Sequence, residues 1–204
     1  MQQDKTRLAI SRAATQLFWE QGVAATTGDQ IAAAAGVSVR TVWRHFRTKE
    51  SCAEPIVAHS WSWFLATWRS WPDDLSLEEH VAAEEKRRNL SPQQQADDRA
   101  AAQMIVLSRT EPAIRTAFLM SSDLAERELA PIVARRLRRA PDDLDVLAHT
   151  AAINAVVRVI SEEIIVGALT RDERSPLADS NARIINAVRT ATSNLIGDPI
   201  RRTS

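Results

Sequence analysis

The 204-residue sequence predicts an all-α fold, on three observations. No stretch alternates apolar and polar residues with the period of two that a half-buried strand requires. Apolar residues instead recur three and four apart, in runs that open on Ser, Thr or Pro and stop at Gly or Pro. The composition agrees, since five glycines and no tyrosine stand against abundant Ala, Arg, Glu and Leu, which favour helix.

Each element has its own signal. The first helix is expected over residues 4–21, where Ile10, Ala14, Leu17 and Phe18 form one stripe and Gly22 stops it. A second, short helix starts at Thr27, whose hydroxyl can cap while Gln30 completes a capping box; it turns Ile31, Ala32 and Ala35 inward and ends at Gly36. A third opens on Ser38 and ends near Phe46. Thr48 caps a fourth, expected to run unbroken to about Trp71, ahead of Pro72-Asp73-Asp74. Pro55 falls inside that helix and should kink it, because proline removes the bond to the Ser51 carbonyl.

Ser76-Leu77-Glu78-Glu79 and Ser91-Pro92-Gln93-Gln94 are two further capping boxes. Glu111-Pro112, Pro141-Asp142 and Ser175-Pro176 open helices over about 112–139, 143–169 and 176–196, the last closed by Gly197 and Pro199. Pro131 interrupts the first of these. The expected architecture is about nine helices with a boundary near Thr48, dividing a three-helix domain over 1–48 from a larger helical domain over 49–204.

Composition narrows the function class. Hydrophobic residues at 45% and charged residues at 25% are an ordinary soluble balance. The lone Cys52 excludes an internal disulfide, which fits a reducing cytoplasm. No apolar h-region follows Met1, so no signal peptide is expected. Arg158, Glu162 and Glu163 interrupt the most apolar stretch, so no membrane span is expected either. The net charge is zero but unevenly spread. Residues 1–50 carry seven basic and four acidic residues, against 19 and 22 in the remainder. A mildly basic head on a mildly acidic body suits a DNA reader attached to something that does not touch DNA.

The informative stretch is Thr27 to Phe46. Two short helices joined by Ala35-Gly36-Val37 cannot bury their apolar faces alone, and the first helix supplies the third wall. The pair then forms a helix-turn-helix whose second helix, Ser38-Val39-Arg40-Thr41-Val42-Trp43-Arg44-His45, can enter a major groove. Val39 and Val42 turn at least partly inward, so Arg40, Thr41 and Arg44 face out, and Arg can pair bidentately with guanine. Thr27, Trp43, His45 and Lys49 are placed to meet phosphates, with the amides that start at Ser38 and Val39 adding to them. The competing reading is an ordinary three-helix core with solvated arginines.

The order of residues resembles the TetR family of bacterial regulators. The matching string is Ala13-Ala14, Leu17-Phe18, Gly22, Thr26-Thr27 and Ile31-Ala32, then Ala35-Gly36-Val37-Ser38, Val42-Trp43, His45-Phe46 and Lys49-Glu50. It departs at Trp43, where the family usually has a tyrosine whose hydroxyl meets a phosphate; an indole N–H can still donate one hydrogen bond. It departs again at Cys52, where leucine is usual, a tolerated core exchange. The C-terminal half, at Arg109-Thr110-Glu111-Pro112-Ala113-Ile114-Arg115 and from Glu126 through Arg136, is similar to the acyl-CoA-like and mycofactocin-system regulators. The resemblance implies a helical C-terminal domain that holds an inducer pocket and dimerises through its last two long helices. It implies double-stranded operator DNA, a small-molecule inducer and a second copy of the chain as partners, and no membrane.

For the pocket, Trp61, Trp63, Trp68 and Trp71 lie on the fourth helix with Phe64, and Trp61, Phe64 and Trp68 share one face. Such a wall suits an apolar, planar or acyl ligand, although tryptophans at helical spacing usually fill core. Met104, Leu107, Phe118, Leu119 and Met120 are candidates for the opposite wall. Asn154 and Arg158, four apart, could orient a ligand, or Arg158 could pair with Glu162. Val156, Val159, Ile160, Ile184, Ile185 and Val188 are candidates for a four-helix dimer interface, the alternative being burial within one chain. A two-fold dimer is expected because one short recognition helix reads too little DNA.

The leading reading is therefore a repressor that binds a palindromic operator as a dimer and is released by a small apolar or acyl ligand. The alternatives are a DNA-binding regulator without an inducer, constitutive or activating, and more remotely an enzyme. His80 and Glu84 are the nearest approach to metal-ligand spacing, in a charged stretch expected to be solvated. No P-loop, nucleophile elbow or glycine-rich dinucleotide turn is present. No catalytic residue, metal or cofactor is expected.

Overall fold

The caps read at Thr27, Ser38, Ser76 and Ser91 are the ones the backbone uses. In the computed structural model, which describes residues 2–170 and 180–200, Thr27 accepts from the Gln30 amide while the Gln30 side chain returns to the Thr27 amide. Ser76 with Glu79 and Ser91 with Gln94 form the same reciprocal pair. Each box satisfies two donors that a helix start otherwise leaves without partners.

The helices in chain order are α1 (Gln2–Gln21), α2 (Gly28–Ala34), α3 (Val39–His45), a 3-10 turn (Glu50–Ala53), α4 (Glu54–His59) and α5 (Ser62–Ser70). There follow α6 (Leu77–Arg87), α7 (Pro92–Leu107), α8 (Pro112–Leu137), α9 (Leu144–Thr170) and α10 (Ser180–Ala191). No strand occurs among the described residues, and the all-α expectation holds. The helix start expected at Ser175-Pro176 lies outside the described residues.

The single kinked helix expected from Thr48 to Trp71 does not form. The segment divides into the 3-10 turn, α4 and α5. Pro55 stands in the first turn of α4, where its missing N–H costs nothing, so it starts a helix rather than bending one. The neighbouring Ile56 amide donates to the buried Ser11 Oγ at 3.2 Å. The true break is at Ser60 and Trp61, where the Ser60 hydroxyl donates to the Val57 carbonyl at 2.7 Å and so occupies a carbonyl at the helix end. The last helix also ends earlier than expected, at Ala191 rather than near 196. Ser193 and Asn194 take positive φ (50° and 61°), and the Asn194 amide closes on the Arg189 carbonyl at 2.7 Å, a left-handed C-terminal stop. In α8, Pro131 sits within one continuous helix.

The chain packs as two units. One holds everything described up to Ser60 together with Leu90–Ser121. In it α1 buries Ile10, Ala14 and Phe18, and packs against α2, α4 and α7. Short helices cannot remove their apolar stripes from water alone: α1 covers α2, while α4 and α7, beyond Thr48, cover α1. A bidentate ion pair ties α1 to α7: Arg12 donates to both Asp97 oxygens at 2.7 and 2.6 Å, and Gln93 adds a bond at 3.0 Å. Arg12 holds the buried Asp97 carboxyl below its usual range, with Gln93 assisting against the opposing effect of burial. Cys52 is fully buried, and burial pushes its thiol up to about 12. That suits a core side chain, not a reactive one.

The other unit comprises Trp61–Asn89 and the described residues from Ser122 on. Its core joins Trp61, Leu65, Trp68 and Trp71 to Leu129 and Val133 of α8, Ile153 and Val157 of α9, and Ile185 and Val188 of α10. At one end Arg136 lies 3.5 Å over the Trp71 ring and donates to the carbonyls of Pro72 and Asp198 at 3.0 and 2.6 Å. Burial lowers its pKa to about 10, so it stays charged at neutral pH.

Candidate nucleic-acid interface

The connection between α2 and α3 follows from Gly36, whose φ of +65° favours a residue without Cβ. The Val37 amide then reaches back to the Ala32 carbonyl at 3.0 Å. Ser38 caps α3 by accepting from the Thr41 amide at 3.1 Å, and its hydroxyl meets the Thr41 hydroxyl at 2.9 Å. Ile31 and Val42 are fully buried, which fixes the rotation of both helices. Arg40, Trp43 and Arg44 are consequently exposed, while Val39, Thr41 and His45 are half-buried. Among the described residues no acidic side chain pairs with Arg40, Arg44 or Arg47. The outer face of α3 therefore presents guanidinium groups with all their donors available.

Three expected phosphate contacts are placed differently from one another. Thr27 is exposed, but its hydroxyl is committed to the capping box. The Trp43 ring lies over the start of α2, where a Cβ on Gly28 would come within 2.1 Å of it. Gly28 thus leaves room for the indole that stands where a smaller tyrosine ring is usual. Lys49 points away from the outer face: its ammonium donates to the carbonyls of Val23, Ala24 and Thr26 at 2.7, 3.2 and 2.9 Å. It ties down the loop between α1 and α2. Arg47, just past α3, is exposed and was not singled out by sequence; a basic residue one step beyond a recognition helix was its only signal.

The expected ligand residues divide between the two units. Met104, Leu107, Leu119 and Met120 belong to the first. Met104 is wholly buried, whereas Leu119 and Met120 are 43% and 60% exposed. Trp61, Phe64, Trp68, Asn154 and Arg158 belong to the second. There Trp61 meets Phe64 edge-on at 5.9 Å, and Phe64 meets Trp68 at 5.2 Å, so the three form one contiguous aromatic cluster. Trp71 is core and Trp63 lies under Arg88, 5.1 Å away. Asn154 is buried and bonded at both ends of its amide, accepting from Ser122 at 3.2 Å and donating to Glu126 at 2.8 Å. Arg158 is half-buried. A surface cavity of about 730 Å³ is lined by Asp73, Asp74, Arg135, Arg138 and Ile200, none of them an expected ligand residue.

Of the expected interface residues, Ile185 and Val188 turn inward and fill the core of their own unit. Val156, Ile160 and Ile184 are half-buried, and Val159 is half-exposed. The outward side of α9 carries Leu144, Leu147 and Val159 with Ala148, Ala151 and Ala155 between them.

His80, expected in a solvated stretch, is buried, and its Nε2 faces the Thr67 carbonyl at 2.9 Å. A carbonyl only accepts, so that nitrogen carries the proton and is not available to a metal. Glu84 pairs instead with Arg87 at 2.8 Å. Among the described residues no cluster of three potential metal ligands forms, and no helix is long and apolar enough to cross a membrane.

The family model for bacterial regulatory proteins of the tetR family matches residues 10–56, the span from the α1 stripe into α4. The HTH-type transcriptional regulator TcmR of Streptomyces glaucescens is 31% identical over 173 residues, covering 78% of this chain and 73% of that protein. Among solved structures, Salmonella enterica GusR is similar with a TM-score of 0.56 at 18% identity, over 94% of this chain and 95% of its own. Thermus thermophilus FadR, a repressor in complex with lauroyl-CoA, gives 0.51 at 19% identity, over 97% of each chain. At such identities the structural likeness establishes the fold.

Proposed function

This chain belongs to the TetR family of bacterial regulatory proteins, and from that premise we propose that it is a repressor that binds a palindromic operator as a dimer and is released by a small molecule. The observation that carries the reading is the outer face of α3, where Arg40 and Arg44 stand exposed and unpaired on a helix capped at Ser38 and anchored by Val42. Free guanidinium groups on a helix of this width are suited to guanine edges in a major groove. Residues 1–48 act as the DNA reader, with Thr41 beside the arginines and Trp43, His45 and Arg47 toward the phosphates. Residues 49–204 bind the ligand and the second subunit, and the protein works in the cytoplasm, where its operator is.

Pairing through the outward side of α9 is supported by Leu144 at 79% exposure, a large apolar side chain that a lone subunit leaves in water. Selecting bound duplexes from a random library should return two inverted half-sites, with light scattering giving twice the chain mass. Val159→Asp should shift the protein to monomer and remove high-affinity binding. A wild-type monomer at micromolar concentration that still selects one operator would contradict the dimer.

The two basic residues that follow α3 separate by experiment. Lys49→Ala should lower unfolding stability by about 1–2 kcal/mol, because three carbonyls lose a charged donor. Arg47→Ala should leave stability unchanged and reduce the salt dependence of DNA binding by about one phosphate's worth. Urea unfolding and filter binding across salt concentrations distinguish them; the opposite pattern would return Lys49 to the DNA and remove Arg47 from it.

Ligand release is supported by the aromatic cluster of Trp61, Phe64 and Trp68. FadR shows that this fold is compatible with a bound acyl compound in one of its members.

A further inference from the structure

We propose that the Trp61 Nε1–H is the polar anchor of the ligand site, and that the ligand is a flat, largely apolar molecule carrying a neutral carbonyl oxygen. This rests on the reading that the unit containing Trp61 binds a small molecule. Trp61 is 5% exposed, and its Nε1 is a buried side-chain donor without a hydrogen-bond partner. Other buried polar groups of the same unit find partners: the Trp71 indole donates to the Leu75 carbonyl at 2.9 Å, Asn154 uses both ends of its amide, and His80 faces the Thr67 carbonyl. A buried indole N–H ordinarily finds an acceptor, so one left alone marks a place where the acceptor comes from outside the chain.

The surroundings define the chemistry of that acceptor. Phe64 sits edge-on to Trp61 with 77° between the rings and tilted against Trp68, so the groups around the donor are aromatic and pair best with a flat ring system. The unmatched group is a single neutral donor. It completes a carbonyl oxygen, whereas a carboxylate among rings would lose its hydration for one uncharged bond. Phe64 is partly exposed while Trp61 and Trp68 are buried, so Phe64 is the ring that turns to admit the ligand. Trp61 also lies at the break between α4 and α5, where the regular helical ladder is already interrupted and a shift disturbs fewest backbone bonds.

The probes are 9-fluorenone and fluorene, which share a shape and differ by the carbonyl. Full-length protein labelled with 15N-tryptophan should bind the ketone about tenfold more tightly than the hydrocarbon, the difference one added hydrogen bond makes. The ketone alone should shift the indole N–H resonance that is missing in Trp61→Phe. That variant trims a core ring, so its melting temperature and its affinity for both probes can fall together, but the tenfold preference between them should disappear. Equal affinity for the two probes, no binding of the ketone, or a preference that survives Trp61→Phe would each overturn the proposal. If the variant proved unfolded, the ketone-specific shift of a single wild-type indole resonance decides the question by itself. Operator binding measured on the same samples separates the outcomes: intact DNA binding with indifferent probes removes only this proposal, while absent DNA binding removes the regulator reading beneath it.

Discussion

Replacing Arg40 or Arg44 with alanine should weaken binding to the selected operator by about 1–3 kcal/mol each, roughly fivefold to 150-fold, and relax preference at one base position per half-site. The size follows from the surroundings of these side chains. Neither is held by a carboxylate, so nothing within the described residues competes with a base for the guanidinium, and neither contributes to the core. Alanine is therefore a subtraction at the interface with the fold left intact, and melting temperatures should not move. In a two-fold dimer each substitution acts twice, so the measured loss lies toward the upper end. Competition between the selected duplex and a scrambled one is the measurement. If both variants lost affinity equally for the two duplexes, the arginines would be phosphate contacts and the reading element would lie elsewhere on the unit.

Arg12→Ala should destabilise the protein by about 2–3 kcal/mol at neutral pH, since a buried carboxylate loses a bidentate charged partner and keeps only Gln93. The effect has a pH signature. Asp97 has a lowered pKa in the folded chain, so its contribution is complete above the ordinary aspartate value of about 4 and is lost as pH falls through the folded value beneath it. The wild-type advantage over Arg12→Ala should accordingly be constant from pH 7 to about pH 5 and shrink under strongly acidic conditions. Urea unfolding at several pH values tests this; an advantage below about 0.5 kcal/mol at pH 7 would mean the pair is merely a surface contact. Because the pair joins α1 to α7, the variant should also weaken DNA binding indirectly, for all sequences alike and most at elevated temperature.

These two expectations differ in how far the sequence alone supports them. The outward placement of Arg40 and Arg44 was legible because α3 is local: a Ser cap, a buried Val42 and a 3.6-residue period determine which side chains face out. Nothing near Arg12 announces Asp97, which is 85 residues away and becomes a partner only when α7 packs on α1. Lys49 shows the same limit. Its position after α3 suggests phosphate, and only folding brings it the carbonyls of Val23, Ala24 and Thr26, more than twenty residues back along the chain.

By itself the sequence determined the elements and their ends in the regions where short-range chemistry dominates. The capping boxes at Thr27, Ser76 and Ser91, the turn at Gly36 and the buried stripe of α1 all came from residues within one or two turns of one another. Tertiary structure decided the rest. It divided the expected fourth helix at Ser60 and Trp61, turned Ile185 and Val188 into their own core, and buried His80 against Thr67. It also left the Trp61 indole without an acceptor. The physical reason is range. Caps and periodicity depend on backbone groups a few residues apart, whereas the burial of a side chain and the partner it finds depend on which distant surface is brought against it.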